Sequence, residues 1–268
     1  MNSKTNWLEA ANELLASFEN MSSLKSSKQA ENIFIIGAPR SGTTLLSQCL
    51  AGCFDVGYVD NLMASFWKAP TFGAMLSNKL IRNRSVSGAS NFGETQMISD
   101  PHEFRAFWRD ALGYSDMNQD IDKEIDCIKV LEKLDQIADA FDKPVVYKVF
   151  QLFWHLSMFH DARPNTKWIW ITRDIEQNAR SILELRTKKG GDINKWISAK
   201  PIVATLFDNE SNIIQAVSQV IGINEWIRNQ LSIIERSSWL SLDYDEFVVN
   251  PQGAVKLISE FLNLDVSP

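Results

Sequence analysis

Four consecutive apolar, β-forming residues, Ile33-Phe34-Ile35-Ile36, run straight into Gly37-Ala38-Pro39-Arg40-Ser41-Gly42-Thr43-Thr44. A short apolar run closed by glycine reads as a buried strand feeding a turn, and Thr43–Cys53 reads as the helix that follows. The glycines keep the spacing of a nucleotide-triphosphate loop, G-x-x-x-x-G-K-[ST], but Thr43 stands where that loop has lysine. Backbone N–H groups of such a loop, with the helix N-terminus behind them, make a concave donor site for phosphate-type oxygens whatever the nucleotide. The lysine serves the β- and γ-phosphates, so its absence removes a main charge neutraliser of ATP or GTP chemistry. What remains suits one phosphate joined to a second tetrahedral anion, with Arg40 offering a forked cation.

The rest of the chain alternates helical and strand patterns. Trp7, Leu8, Ala11, Leu14, Leu15 and Phe18 recur at helical spacing, which predicts an amphipathic helix over 5–19, and the Ser- and Lys-rich stretch Asn20–Glu31 reads as a linker. Further strands are expected at Phe54–Val59, Pro144–Phe150, Lys167–Thr172 and Trp239–Leu242. Helices are expected from Ile121 to Phe141 with Asp120 as cap, at Ile175–Lys188, over about Glu210–Arg236 and at Gly253–Leu262. The stretch Asn61–Arg109 mixes Gly, Ser, Asn and aromatics without a period and reads as substrate-facing loops. Strands alternating with helices predict α/β architecture, a parallel sheet covered on both faces. The expected organisation is a helix and linker over 1–30 and one domain over 31–268.

Charge narrows the function classes. The formal net charge is −6, from 27 Lys and Arg against 33 Asp and Glu. A nucleic-acid binder carries a basic surface, so no nucleic-acid partner is expected. An anionic ligand must be held by a local cluster of cations. Cys49 and Cys53 have helical spacing without a histidine pair, and the low, odd cysteine count suits reduced thiols. No apolar stretch approaches membrane length and Glu9 and Glu13 interrupt the place of a leader, so a soluble, cytoplasmic protein is expected.

The segment Pro39-Arg40-Ser41-Gly42-Thr43-Thr44 resembles the 5′-phosphosulfate loop of the sulfotransferases that use 3′-phosphoadenosine 5′-phosphosulfate (PAPS), in the variant of the tyrosylprotein and many bacterial members. The resemblance implies a three-layer fold, a parallel sheet flanked by helices of the P-loop nucleotide-binding type. It implies that Arg40, Ser41, Gly42, Thr43 and Thr44 hold the phosphosulfate. The family also reads the 3′-phosphate with an Arg at a strand end and a Ser eight residues on; Arg173 after W-I-W-I-T, and Ser181 in A-R-S-I-L, match. Lys148 is similar to the lysine placed near the bridging oxygen of the donor. Tyr244, in L-D-Tyr-D-E-F, resembles a tyrosine near the nucleotide. For Arg173 the plainer reading is a surface ion pair with Asp174 or Glu176, and for Lys148 and Tyr244 an ordinary strand-end residue. Arg180, Arg186, Lys188 and Lys189 read mostly as a solvated charge run. The animal cytosolic R-K-G and G-D-W-K segments are missing, so other residues must close over the nucleotide.

The resemblance implies in-line transfer of a sulfuryl group to a hydroxyl or amine, with 3′,5′-ADP (PAP) as product and no metal required. Catalysis then rests on positioning and on charge stabilisation, aided by a base. Glu94, in F-G-Glu-T-Q, is similar to the family's glutamate base; His102 and Glu103, in D-P-His-Glu-F, compete with it, His102 as the second candidate. His155 and His160 read as packing or surface residues. Phe66, Trp67, Phe72, Phe92, Phe104, Phe107 and Trp108 point either to an aromatic, apolar or carbohydrate acceptor or to core. Two other classes stay open: a P-loop small-molecule kinase, and a non-catalytic nucleotide-binding module. The acceptor and the oligomeric state are not specified by the sequence.

Overall fold

The computed structural model describes residues 3–21, 26, 29–81, 85–114 and 118–267. Its sheet has strands β1 (Asn32–Ile36), β2 (Gly57–Tyr58), β3 (Val145–Lys148), β4 (Lys167–Thr172) and β5 (Trp239–Asp243). All neighbours are parallel, in the order β2-β3-β1-β4-β5. The helices are α1 (Ser3–Met21), α2 (Thr43–Cys53), α3 (Pro70–Leu80), α4 (Arg105–Leu112), α5 (Cys127–Phe141), α6 (Leu156–Ala162), α7 (Ile175–Lys188), α8 (Asn212–Ser232), α9 (Tyr244–Val249) and α10 (Pro251–Leu262). The chain leaves β1 for one side of the sheet and later returns to its other side with β4. The end of β1 is therefore a topological switch point, where open parallel sheets form their ligand crevice.

Period-two alternation divides the strands between two cores. Ile33, Ile35, Val146, Ile169, Ile171 and Leu242 pack with Leu46 and Leu50 of α2, Phe247 of α9 and Ile258 of α10. Phe34, Ile36, Tyr147, Trp168 and Trp170 pack on the other face with residues of α4, α5, α6, α7 and α8. Here Phe34 is the middle rung of three aromatic rings in register across β3, β1 and β4. Its ring centroid lies 5.5 Å from Tyr147 and 4.9 Å from Trp168, both stacked, with the edge of Trp108 at 6.1 Å.

The expected strand over 33–36, the helices Thr43–Cys53 and Ile175–Lys188 and the strand Lys167–Thr172 stand where the sequence places them. Elsewhere the structure corrects the reading. The stretch 61–109 is not simply loop: it holds a 3-10 turn at Met63–Phe66, then α3 and α4. α3 has no side-chain cap of its own. Its first N–H groups, Thr71 at 3.4 Å and Phe72 at 3.0 Å, donate instead to Glu19 of α1, a partner no local pattern reveals.

Helix α5 begins six residues later than expected, because Asp126 and not Asp120 accepts from the Lys129 N–H at 3.0 Å. In α1 the stripe also turns out differently. Trp7, Leu14 and Phe18 are 64%, 74% and 72% exposed, while Asn12 and Glu19 are buried. Asn12 donates to the Ser65 carbonyl (2.9 Å) and accepts from the Lys68 N–H (3.0 Å), so hydrogen bonds join the half-buried Leu8, Ala11 and Leu15 in docking this helix. Of the expected linker over 20–31, residues 22–25, 27 and 28 lie outside the described residues. Among the described residues no helix is long and apolar enough to cross a membrane.

Replacing Phe34 with Ala removes the ring that joins three strands. The expected loss is about 4 kcal/mol, measured as the fall in unfolding free energy by chemical denaturation.

Candidate active site

The loop after β1 is shaped by two close approaches. A Cβ on Gly37 would lie 2.5 Å from the Ile171 carbonyl oxygen, and one on Gly42 would lie 2.3 Å from the Tyr244 ring. Gly42 also has φ 103°, a left-handed conformation that favours glycine. Arg40 adopts φ 69° without that freedom, which leaves a strained residue at the turn. The Ser41 N–H donates to Ala38 O at 3.1 Å, and Asn178 of α7 donates to Pro39 O at 2.6 Å. Ser41 Oγ and Arg173 Nε at this loop are among the buried polar atoms that have no hydrogen-bond partner among the described residues.

One end of the loop gathers the residues singled out for the nucleotide. Arg40 Nε donates to Ser181 Oγ at 3.1 Å, and Arg173 Nη1 donates to the Arg40 carbonyl at 3.4 Å. The Arg173 guanidinium lies 4.5 Å over the Tyr244 ring, which itself packs on Gly42. Arg173 pairs with neither candidate acid: Asp174 caps α7 by accepting from the Gln177 N–H at 2.9 Å, and Glu176 pairs with Arg180. Burial lowers the pKa of Arg40, and the charge of Arg173 beside it adds to that effect. Thr43 and Thr44 open α2 behind the loop.

The other end is built around Lys148. This residue ends β3 next to Ile35 of β1, and its side chain is 3% exposed. Its ammonium donates to Thr44 Oγ1 at 2.7 Å and to the Gly93 carbonyl at 3.5 Å, and pairs with Glu103 at 2.9 Å. Burial pulls the Lys148 pKa down, against the opposing pull of Glu103. For Glu103 burial alone would raise the pKa, but Lys148 and Arg105 overcome it and hold the carboxyl at about 2.

Asn91-Phe92-Gly93-Glu94 forms a tight turn with Asn91 and Glu94 bonded in both directions, at 2.8 and 3.1 Å. Phe92 and Gly93 both have positive φ, 52° and 88°, the sign pattern of mirror-image hairpin turns. The turn sets Gly93 beside Thr44 and leaves Glu94 paired with Lys189 at the end of α7. Lys188 lies over the Phe92 ring at 5.3 Å and Arg40 at 5.6 Å, so this ring has a cation from each side of the cleft. His102 accepts the Phe104 N–H on Nδ1 at 2.9 Å, which leaves its proton on Nε2 when neutral. Burial lowers the His102 pKa and keeps it neutral at pH 7. His155 and His160 are buried away from this cleft, with His155 Nε2 2.7 Å from the Tyr114 hydroxyl.

Between the two ends lies a cavity of about 390 Å³, lined by Arg40, Gly42, Thr43, Thr44, Glu94, Glu103, Arg173 and Tyr244 among others. Two of its supporting residues were not legible as such in the sequence. Glu103 reads in the sequence as a candidate base, and only its ion pair with Lys148 gives it a supporting place instead. Arg186 reads as part of a solvated run but is fully buried, bonded to Gln215 (3.2 Å) and Gln219 (3.4 Å) and stacked on Trp196 at 4.7 Å. Gln219 also donates to the Ile197 and Ala199 carbonyls, so this group fixes the wall that Lys195, Ile197 and Ser198 give the cavity.

A family model described as "Sulfotransferase family" matches residues 32–268. No curated protein matches the chain in sequence. Among solved structures, sulfotransferase STF1 from Mycobacterium tuberculosis superposes with a TM-score of 0.63 at 14% identity, covering 98% of this chain and 77% of that one. Sulfotransferase STF9 from Mycobacterium avium gives 0.63 at 12% identity, with coverage of 92% and 67%. The sulfotransferase domain from the curacin biosynthetic pathway gives 0.53 at 18% identity, with coverage of 90% and 77%. At such identities the likeness is one of fold.

Glu103→Gln tests the buried pair. It strands the Lys148 ammonium and should cost about 3 kcal/mol near neutral pH. Because the folded carboxyl titrates near 2 instead of its ordinary 4.5, the stabilisation is fully present above about pH 4.5. Denaturation curves should therefore show the gap between wild type and variant closing as pH falls from 4.5 towards 2.

Proposed function

Since this chain belongs to the sulfotransferase family, we propose that it uses PAPS as donor and transfers the sulfuryl group to a hydroxyl or amine of a small-molecule acceptor. The observation that carries the reading is the convergence of Arg173, Ser181 and Tyr244, from two different strand ends, on Arg40 and Gly42 of the loop. Two anion-binding groups at one end of a cleft suit a nucleotide with a phosphate on its ribose as well as at its 5′ end. The fit is supported by the partnerless Ser41 Oγ and Arg173 Nε, buried donors for which anionic oxygens are the natural partners. The loop belongs by this reading to the variant with arginine after proline, as in tyrosylprotein and bacterial members.

Bound PAPS supplies the sulfuryl group, and PAP is the product. Ser41, Gly42, Thr43 and Thr44 offer the loop's N–H and hydroxyl donors to the 5′ end, and Arg40 adds a cation whose plane Ser181 and Phe92 orient. Arg173 and Ser181 hold the 3′-phosphate, and Tyr244 supports the Arg173 plane. Lys148 supplies positive charge next to Thr44, where charge grows on the leaving phosphate. Glu103 acts as a positioning residue that holds this ammonium in place. Glu94, on the turn that carries Gly93 to the loop, accepts the acceptor's proton. His102 has its Nδ1 lone pair engaged by Phe104 and supports the same segment.

A P-loop kinase reading would require comparable affinity for ATP, and a non-catalytic module would bind PAP without turnover. Calorimetry should give PAP an affinity at least about tenfold above ATP. Arg173→Ala should weaken PAP by on the order of a hundredfold and Ser181→Ala by about tenfold. Equal affinity for ATP, or no loss in either variant, would sink the donor assignment. In a PAPS turnover assay with a panel of phenols and alcohols, Glu94→Gln should lower kcat on the order of a hundredfold with PAP affinity unchanged.

A further inference from the structure

The acceptor side of the cleft has its own chemistry. Arg173 and Tyr244 mark the nucleotide end, at the start of α7. The fourteen residues of α7 then cross about 20 Å, to Lys188 and Lys189 beside Phe92 and Glu94. Beyond the turn at Gly93 lies a second cavity of about 460 Å³, which shares Gly93, Glu94, Glu103 and Arg105 with the first. That size suits a small molecule. Its remaining wall includes Asn61, Thr95, His102, Ala106 and Arg109.

Aromatic residues do not build this wall. Of the seven Phe and Trp of the 61–109 stretch singled out as acceptor candidates, Phe92 alone lines either cavity, while Phe104, Phe107 and Trp108 are buried in the core. Helix α4 sorts its residues accordingly: Phe107, Trp108 and Leu112 go inward, and Arg105 and Arg109, one turn apart, line the cavity.

Charge bookkeeping at this wall leaves cations over. Both carboxylates already have a cation from elsewhere, Glu94 with Lys189 and Glu103 with Lys148. Arg105 shares Glu103 through one nitrogen at 3.0 Å and is otherwise 60% exposed. Arg109 is 54% exposed and meets only its neighbour Asp110, at 3.7 Å through Nε; its terminal nitrogens make no hydrogen bond among the described residues. In a chain of net charge −6, a cavity wall with the Arg109 fork free and Arg105 held by Glu103 through one nitrogen only favours an anion.

We propose that the acceptor carries a carboxylate or phosphate group besides its hydroxyl, and that Arg105 and Arg109 hold that anion while the hydroxyl faces Glu94 and the loop. The inference rests on the sulfuryl-transfer reading for the identity of the second cavity as the acceptor's.

Matched probes test it: 4-hydroxybenzoate against its methyl ester, and glycerol 3-phosphate against glycerol, titrated calorimetrically into the full chain with and without saturating PAP. At least one anionic probe should bind about tenfold or more tightly than its neutral twin, and the pair that responds tells carboxylate from phosphate. Arg109→Ala should abolish that preference and leave the neutral twins and PAP as they were, and Arg109→Lys should restore part of it. Neutral probes binding as tightly as anionic ones, an equal effect of Arg109→Ala on both, or no binding of any anion would overturn the proposal. An anion preference that persists in a chain unable to bind PAP would remove the donor reading and leave the arginine wall standing, so the two failures are distinct.

Discussion

The loop after β1 has threonine at position 43, where a nucleotide-triphosphate loop carries lysine. A further charge comes from the adjacent strand: Lys148 stands next to Ile35 in the register of β3 against β1, and its ammonium reaches Thr44 from the side. Placing that ammonium in a dry site has a desolvation cost, which Glu103 offsets by pairing with it and Thr44 and Gly93 by accepting its remaining hydrogens. The loop, the turn at 91–94 and the start of α4 are thus tied to one buried charge. If its partners shifted, the cleft would lose its floor.

The distribution of charge follows the same logic. An acidic protein cannot draw anions by its overall field, so each cation in the cleft is aimed by a local contact: Arg40 by Ser181 and Phe92, Arg173 by Tyr244 and Gln177. Arg186 shows the extreme form. It is buried without a carboxylate, its pKa lowered by burial, and it spends its charge on the face of Trp196 and two glutamine amides to stiffen a wall.

What was legible in the sequence was what depends on neighbours along the chain. The strand Asn32–Ile36, the glycines of the loop and the 14-residue helix α7 follow from apolar period and turn chemistry, both local. Arg173 and Ser181 were singled out only through resemblance, and nothing within α7 says that Ser181 meets Arg40. Helix α3 was hidden since its first N–H groups are satisfied by Glu19, and the start of α5 was misplaced since Ile121 and Ile125 continue a helical period that the backbone does not follow. Glu103 was singled out only as a candidate base, because its pairing with Lys148 is set by a salt bridge across the cleft. The aromatic residues of 61–109 were ambiguous because Phe and Trp suit a pocket and a core equally until the face of α4 is known.

Gly42 touches the ring of Tyr244, and Arg40 meets a serine 141 positions away. The cleft is therefore not a loop that can form by itself: it exists only once the central strand and the far edge of the sheet have met. Contacts of such sequence separation form late and slowly during folding. Once formed, they make occupancy of the cleft a matter for the whole molecule. Any ligand seated there would draw the entire folding equilibrium by mass action, so its affinity would be written into the melting temperature of strands that never touch it.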